Sequence, residues 1–180
     1  LKSYWLTIHV SILTASYGFF GLAAILGFMT LIMFIFRTNR PHIDETIKTV
    51  TAINEISLII GLAAITIGNF LGGVWANESW GRYWGWDPKE TWAYVSIVVY
   101  AIVIHLRFVK ALSTPYVFAT AALLAFSSIL MTYLGVNFYL SGMHSYATGD
   151  PVPIPMWAYV TFTIVIVTIL LAFKNRNLKE

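Results

Sequence analysis

The sequence contains no cysteine and few charged residues, and both absences limit what the chain can be. None of the 180 residues is cysteine, which excludes disulfides, thiolate metal sites and any thiol chemistry carried by this segment itself. Charged residues make up 11% of the chain, whereas hydrophobic residues make up 58%. A water-soluble domain of this length could not bury so much apolar surface, so the sequence predicts an integral membrane protein.

The N-terminal apolar run also lacks the features of a signal peptide. It has no basic region before it and no small-residue cleavage site, and it is too long. Because residue 1 is Leu rather than Met, we expect the chain to be part of a longer or processed product. The formal net charge of the chain is slightly basic, +3. In a membrane protein the basic residues mostly indicate which loops face the cytoplasm. The expected surroundings are therefore a lipid bilayer, with no nucleic-acid partner.

Five apolar runs reach or nearly reach the ~20 residues that a helix needs to cross the hydrocarbon of a bilayer. The fold class predicted is therefore all-α, a polytopic membrane protein with one membrane domain over residues 1–180. The predicted transmembrane helices cover residues 7–36, 50–71, 91–108, 115–134 and 155–173. Two segments between them, residues 72–90 and 135–154, are too long to be turns and are predicted to be long functional loops.

The distribution of Lys and Arg predicts the orientation of these helices. One set of loops is rich in basic residues, and the opposite set carries only Lys2, Arg82 and Lys89. The positive-inside rule places the basic set in the cytoplasm. The N-terminus and both long loops then share the outer face. The basic set consists of Arg37, Arg40, Lys48, Arg107, Lys110, Lys174, Arg176 and Lys179.

Topology separates the four histidines into groups. His9 and His144 both lie at the outer face, whereas His105 lies ~20 Å deeper than Trp92 at 1.5 Å per residue. His42 falls in a charged loop and is interpreted as solvated. His9 and His144 are either two unrelated interfacial residues or a pair of axial ligands to haem iron, for which histidine is the usual ligand. His105 lies in or near the bilayer core, where a polar residue is by default a functional candidate.

Tryptophans are concentrated around the first long loop. An interfacial aromatic belt would spread them over many helix ends, but here they cluster among small residues such as Gly72, Gly73, Gly81 and Gly85. Glycine lets a backbone approach a flat ligand closely, and indole rings suit a porphyrin face. We therefore favour a haem platform over a belt. The concentrated residues are Trp80, Trp84, Trp86 and Trp92.

The charged residues among these tryptophans have the pattern of a helix start. Asp87 suits an N-cap, Pro88 the first helical position and Glu90 the third. An acid–base role for the two carboxylates has no positive support in the sequence. Glu55, on the second predicted helix, is interpreted as a snorkelling or paired charge or as a buried functional one.

The stretch WANESWGRYWGWDPKETWA resembles the tryptophan-rich WWD signature of the membrane proteins that handle haem in cytochrome c biogenesis. With YAIVIHLR and GVNFYLSGMHSYA further on, the chain is similar to the CcsA (ResC) branch of System II cytochrome c synthases. System I proteins carry a related motif. The resemblance covers nearly the whole chain and suggests the C-terminal part of a fused CcsBA protein.

This resemblance implies roles for particular residues. His9 and His144 match the two outer haem ligands, and His105 matches a transmembrane histidine that serves an inner haem together with the CcsB half. The implied cofactor is haem b, and the implied partners are a CcsB/ResB-type membrane protein and apocytochrome c. The implied location is the bacterial inner (cytoplasmic) membrane, with the Trp-rich loop outside. The implied platform consists of Trp75, Trp80, Trp84, Trp86, Asp87 and Trp92.

The expected function is presentation of haem for covalent attachment to a CXXCH segment, as part of a cytochrome c synthase. With no thiol of its own, the chain would contribute positioning while the cofactor carries the chemistry. Two alternatives remain open at this point. One is a haem carrier or exporter that serves a separate lyase, and the other is a scaffold whose tryptophans only anchor it.

Overall fold

A computed structural model of the chain describes residues 4–37, 40–143 and 152–177. Over these residues every regular element is a helix, and no strand is present. Helix α3 continues into a short 3₁₀ turn at Leu106–Phe108, and a π-helical turn at Met131–Gly135 joins α4 to α5 without a break. The α-helices are α1 (Tyr4–Phe36), α2 (Pro41–Trp80), α3 (Pro88–His105), α4 (Pro115–Leu130), α5 (Val136–Tyr139) and α6 (Met156–Phe173).

The all-α membrane fold is confirmed. Five helical stretches among the described residues are long and apolar enough to cross a bilayer, and each contains or nearly contains one predicted span. The stretches are Tyr4–Phe36, Pro41–Trp80, Pro88–Phe108, Pro115–Tyr139 and Met156–Phe173.

The predicted bounds of the second helix and of the first long loop were wrong. Helix α2 is 40 residues long, so it extends beyond the predicted span 50–71 at both ends. Hydropathy marks the part of a helix inside the membrane and not the part that projects from it. Helix α2 continues past the glycine pair at 72 and 73 to Trp80. The loop between α2 and α3 therefore spans residues 81–87 rather than 72–90.

The second long loop also begins later than predicted. The helix that starts at Pro115 runs through the π-helical turn and ends at Tyr139, five residues beyond the predicted end at 134. Residues 140–143 and 152–155 are described as non-helical. Residues 144–151, which include His144, lie outside the described residues.

Helix α1 packs against α2, α4 and α6. Close approach depends on small residues on these faces, as is usual where helices meet in a membrane. A Cβ on Gly27 of α1 would lie 2.7 Å from the carbonyl oxygen of Ala119 on α4. A Cβ on Gly61 of α2 would lie 2.9 Å from the ring of Phe20, which itself stacks on Tyr100 with centroids 3.7 Å apart. The antiparallel α1–α2 pair places the start of α1 beside the end of α2.

Ionic contacts join the helices at the end of the bundle where α1 ends and α2 begins. Arg37 forms a salt bridge of 3.0 Å with Asp44, and its guanidinium donates to the carbonyl of Asn175 at 2.6 Å, just after α6. Glu55 of α2 pairs with Arg107 at the end of α3. The interpretation of Glu55 as a charge paired with another residue is therefore confirmed.

Candidate functional site

His9 is held against α2 at the end of the bundle that carries the start of α1 and the end of α2, which we call the Trp-rich end. Its Nδ1 lies 2.6 Å from the carbonyl oxygen of Gly68. A Cβ on Gly72 would lie 2.4 Å from the imidazole Cε1, so only glycine leaves room for the ring there. The sequence predicted that Gly72 would let the backbone approach a flat ligand closely. In the structure, Gly72 leaves room for the ring of His9.

The hydrogen bond to Gly68 sets the tautomer of His9. A carbonyl oxygen can only accept, so Nδ1 carries the proton in this contact. In a neutral imidazole the lone pair is then on Nε2. Histidines that bind metals usually donate the other ring N–H to a backbone carbonyl or a carboxylate, which fixes the ring and raises its basicity. The contact of His9 with Gly68 is of this kind.

Trp75 and Trp80 lie in the last two turns of α2 rather than in a loop, and Trp75 packs against His9. The His9 and Trp75 rings are nearly parallel, with an interplanar angle of 12° and centroids 6.4 Å apart. Trp80 meets Trp75 edge to face at 4.7 Å. The guanidinium of Arg82 lies 5.9 Å from the Trp80 ring. The structure thus brings His9, Trp75 and Trp80 together, as the topology predicted.

The loop at 81–87 carries the next two tryptophans. It begins at Gly81, whose φ of 70° provides the left-handed cap that ends α2. Trp84 and Trp86 then pack edge to face with centroids 5.7 Å apart. Trp86 has φ of 57°, which is costly for a bulky side chain, and it is 71% exposed. Strain of this kind tends to persist at functional sites.

The strain at Trp86 can be measured by comparing two substitutions. Both Trp86→Gly and Trp86→Ala remove the exposed indole, but only glycine adopts positive φ without a steric penalty. We expect the glycine variant to have a free energy of unfolding about 1 kcal/mol above that of the alanine variant. Chemical unfolding in detergent micelles measures this difference. Equal stability of the two variants would show that the φ of residue 86 carries no strain.

The predicted start of α3 is confirmed. Asp87 is the N-cap, Pro88 occupies the first helical position, and the Asp87 side chain accepts a hydrogen bond from the Lys89 N–H at 3.0 Å. Glu90 reaches back to the N–H groups of Gly85 at 2.7 Å and Asp87 at 3.2 Å. The two carboxylates therefore close the loop and begin the helix.

The Asp87 carboxylate also contacts the second long segment, which the sequence did not predict. It accepts the backbone N–H of Met143 at 2.6 Å. The Arg82 guanidinium lies 2.9 Å from the Met143 sulfur, and the Lys89 ammonium donates to Asn137 of α5 at 2.8 Å. Asp87, Arg82 and Lys89, which lie in the loop at 81–87 or just after it, thus contact the segment of residues 137–143. Their spacing in the sequence follows no known motif, so no local signal could have found them.

The remaining predicted residues lie elsewhere or outside the described chain. Trp92 lines a groove of about 570 Å³ between α3 and α4, beside Val99 and Met131. His105 is the last residue of α3, at the opposite end of the bundle from His9. It is exposed, and its Nδ1 lies 2.7 Å from the Ala101 carbonyl. His144 lies outside the described residues, so its contacts with His9 and the tryptophans stay a prediction.

Comparison with known proteins bears on this arrangement. A family model described as cytochrome C assembly protein matches residues 1–144. The match contains α1 to α5 and every described residue of the Trp-rich end. The chain belongs to the cytochrome c assembly protein family.

Individual members of this family are also similar to the chain. Protein NrfI of Wolinella succinogenes is 54% identical over 181 residues, covering 100% of this chain and 20% of NrfI. Two cytochrome c biogenesis proteins CcsA match 81% of the chain. The CcsA of Chlamydomonas reinhardtii is 38% identical, with 41% of its length covered. The CcsA of Prochlorococcus marinus is 33% identical, with 54% covered. The similarity to CcsA is therefore confirmed, and the chain spans a fifth to about half of these relatives.

Proposed function

We propose that the Trp-rich end binds haem b and presents it for covalent attachment to the CXXCH segment of an apocytochrome c. The observation that carries this proposal is the geometry of His9. Its ring is fixed by Gly68 and Gly72, stacks on Trp75, and has its lone pair on Nε2. A histidine held in this way beside a cluster of indoles suits an iron inside a flat macrocycle.

The described residues fit such a group. Porphyrin supplies four nitrogen ligands to its iron, so the protein needs to provide only axial ligands. We assign these to His9 and to His144. The half-buried rings of Trp80 and Trp84 and the exposed ring of Trp86 would provide an apolar wall for the macrocycle, with the buried Trp75 packed against Trp80. Arg82 provides a cation at the same end, suited to a carboxylate of the haem edge.

When bound, haem supplies the two vinyl groups to which the thiols of a CXXCH segment add as thioethers. The chain has no thiol, so its own contribution is to hold and orient. His9 would hold the haem, and the tryptophans of the Trp-rich end would exclude water around it. The histidine of an incoming CXXCH segment would compete with His9 or His144 for the haem, so this pair would hold the cofactor exchangeably. Orientation of this kind lowers the barrier by removing the entropy cost of bringing reactants together.

The proposal also includes the orientation of the protein in the membrane and its membrane partner. We infer that the Trp-rich end faces the outside of the bacterial inner membrane, as the distribution of Lys and Arg predicts. His105, at the opposite end, is assigned to an inner haem shared with a CcsB/ResB-type partner or fused half. Its Nδ1 contacts a backbone carbonyl, as that of His9 does.

Co-expression with an apocytochrome separates this function from that of a haem carrier. The full-length protein and an apocytochrome with one CXXCH segment are expressed in cells that lack their own maturation system. We expect covalent haem on the apocytochrome, detected by haem staining of a denaturing gel. An apocytochrome whose two CXXCH cysteines are replaced by alanine is the matched control. Haem that co-purifies with the membrane protein but never becomes covalent would instead identify a carrier.

A further inference from the structure

The groove between α3 and α4 is a feature that the proposed function does not use. Its α3 wall runs from Trp92 through Val95 and Val99 to Val103, a spacing of three or four residues that belongs to one face of a helix. This wall is about 16 Å long at 1.5 Å per residue, roughly the depth of one leaflet of a bilayer. The groove volume of about 570 Å³ is typical of a site for a small molecule.

The lining of the groove suits an apolar occupant that comes from the bilayer. Ile102 and Leu124 line it and are 59% and 42% exposed, so the groove opens towards the surrounding hydrocarbon. Ser127 and Ser128 also line it, but their hydroxyls donate to carbonyls of their own helix at 2.7 and 2.8 Å. An occupant therefore needs no hydrogen-bonding groups, which is the chemistry of a lipid acyl chain.

The two helices are held together where the groove reaches the Trp-rich end. The Thr132 hydroxyl, in the π-helical turn after α4, lies 3.1 Å from the Trp92 carbonyl oxygen and 3.1 Å from the Ser96 hydroxyl. Beyond this point, the Lys89 ammonium already donates to Asn137 at 2.8 Å. A lipid whose chain lies in the groove therefore has its head group at the opposite end.

That opposite end carries two cations in the segment that joins α3 to α4. Arg107 pairs with Glu55 of α2. Lys110 is exposed and forms no ion pair with any residue that the structure describes. Basic residues at the membrane surface attract anionic lipids, and basic pockets between transmembrane helices bind their phosphate groups. Lys110 thus complements a phosphate at the point where the groove leaves the hydrocarbon.

We propose that this groove binds an acyl chain of one anionic phospholipid, whose phosphate is bound by Lys110. A transmembrane helix of a partner suits the groove less well, because such a helix contacts its neighbours over about 30 Å of hydrocarbon. The groove is about half that length, and its helices close on each other at Thr132. The inference does not depend on haem binding, so it stands or falls separately from the proposed function.

Charge and space are tested by separate substitutions in the full-length protein. Lys110→Gln removes the cation, and Lys174→Gln is its matched control, since Lys174 is exposed after the end of α6. Ala121→Phe fills the groove, and Ala63→Phe makes the same change at an exposed position of α2. Each protein is reconstituted in vesicles with equal amounts of phosphatidylglycerol and phosphatidylcholine. Native mass spectrometry then counts the lipids that stay bound.

We expect the wild-type protein to retain one phosphatidylglycerol, at least fivefold more often than phosphatidylcholine, as one cation near the surface provides. Lys110→Gln should reduce this preference to less than twofold, and Ala121→Phe should lose the lipid, while both controls behave as wild type. An unchanged preference in Lys110→Gln would overturn the role of the cation. Lipid retained by Ala121→Phe would show that the head group binds without the groove, which also contradicts the inference.

A measurement on the wild-type protein covers the case in which Ala121→Phe fails to fold. Phosphatidylglycerol with a photoreactive diazirine at the end of one acyl chain is incorporated into the same vesicles and activated by light. We expect labelling of Val95 and Val99 at least fivefold above that of Phe162 and Leu170, which are exposed on α6. Equal labelling would identify unspecific lipid contact only. Labelling of α6 without any on α3 would show that another helix covers the groove, and the inference would be wrong.

Discussion

Replacing His9 with glycine is expected to lower the haem content of the purified protein at least tenfold and to abolish covalent attachment to an apocytochrome. The change removes the ring that Gly68 and Gly72 hold in place, and with it one of the two histidines proposed to hold the haem. Added imidazole should enter the space that the side chain leaves and restore the Soret absorbance. The measurement is the Soret band of protein purified from haem-replete cells, with and without imidazole.

His42→Gly is the matched control for this experiment. His42 is exposed in the first turn of α2, at the opposite end of the bundle from His9. Its removal should leave the haem content and the attachment yield within about twofold of wild type, as most surface changes do. Full haem occupancy and unchanged spectra in His9→Gly would show that His9 is not a ligand, and the function proposed for the Trp-rich end would lose its main support.

Gly27→Ala is expected to lower the free energy of unfolding by about 3 kcal/mol, the upper end of the usual cost of overpacking. The added Cβ would lie 2.7 Å from the carbonyl oxygen of Ala119 and 3.5 Å from the backbone nitrogen of Leu123. Both atoms belong to the backbone of α4 and cannot move as a flexible side chain does. Helices α1 and α4 must therefore separate along their contact. Unfolding in mixed micelles, followed by circular dichroism, measures the change.

The same helix offers a control for the loss of glycine itself. Gly18 also lies in α1, but a Cβ there would meet no atom within 4 Å. Gly18→Ala should raise the free energy of unfolding by up to about 1 kcal/mol, because alanine favours the helical backbone. If the two variants were equally stable, the close contact between α1 and α4 would not contribute to stability.

Hydropathy and cap chemistry predicted much of this structure from the sequence alone. The five spans are confirmed because apolar runs of this length have few other stable forms. The start of α3 is confirmed because Asp87, Pro88 and Glu90 form a local pattern that needs no tertiary contact. The proximity of His9 to Trp75 is confirmed because alternating spans bring every second connection to the same side.

The errors and omissions arose where tertiary contacts determine the structure. Gly72 was placed in the first long loop, but it lies within α2, where it accommodates the His9 ring from another helix. Trp92 was grouped with the other tryptophans by proximity in sequence, whereas its side chain lines the groove between α3 and α4. The bond from Met143 to Asp87 joins residues 56 apart, and no periodicity or composition signals such a pair.

The length of α2 has a mechanical consequence. Its 40 residues extend about 60 Å at 1.5 Å per residue, roughly twice the hydrocarbon thickness of a bilayer. A single unbroken helix therefore places Asp44 near one face of the membrane and Trp80 near the other. A rotation of this helix by about 5° about its first turn would shift its C-terminal end by about 5 Å. A small pivot at the turn that begins with Pro41 would therefore move Trp75 and Trp80 by several ångströms at the other face of the membrane.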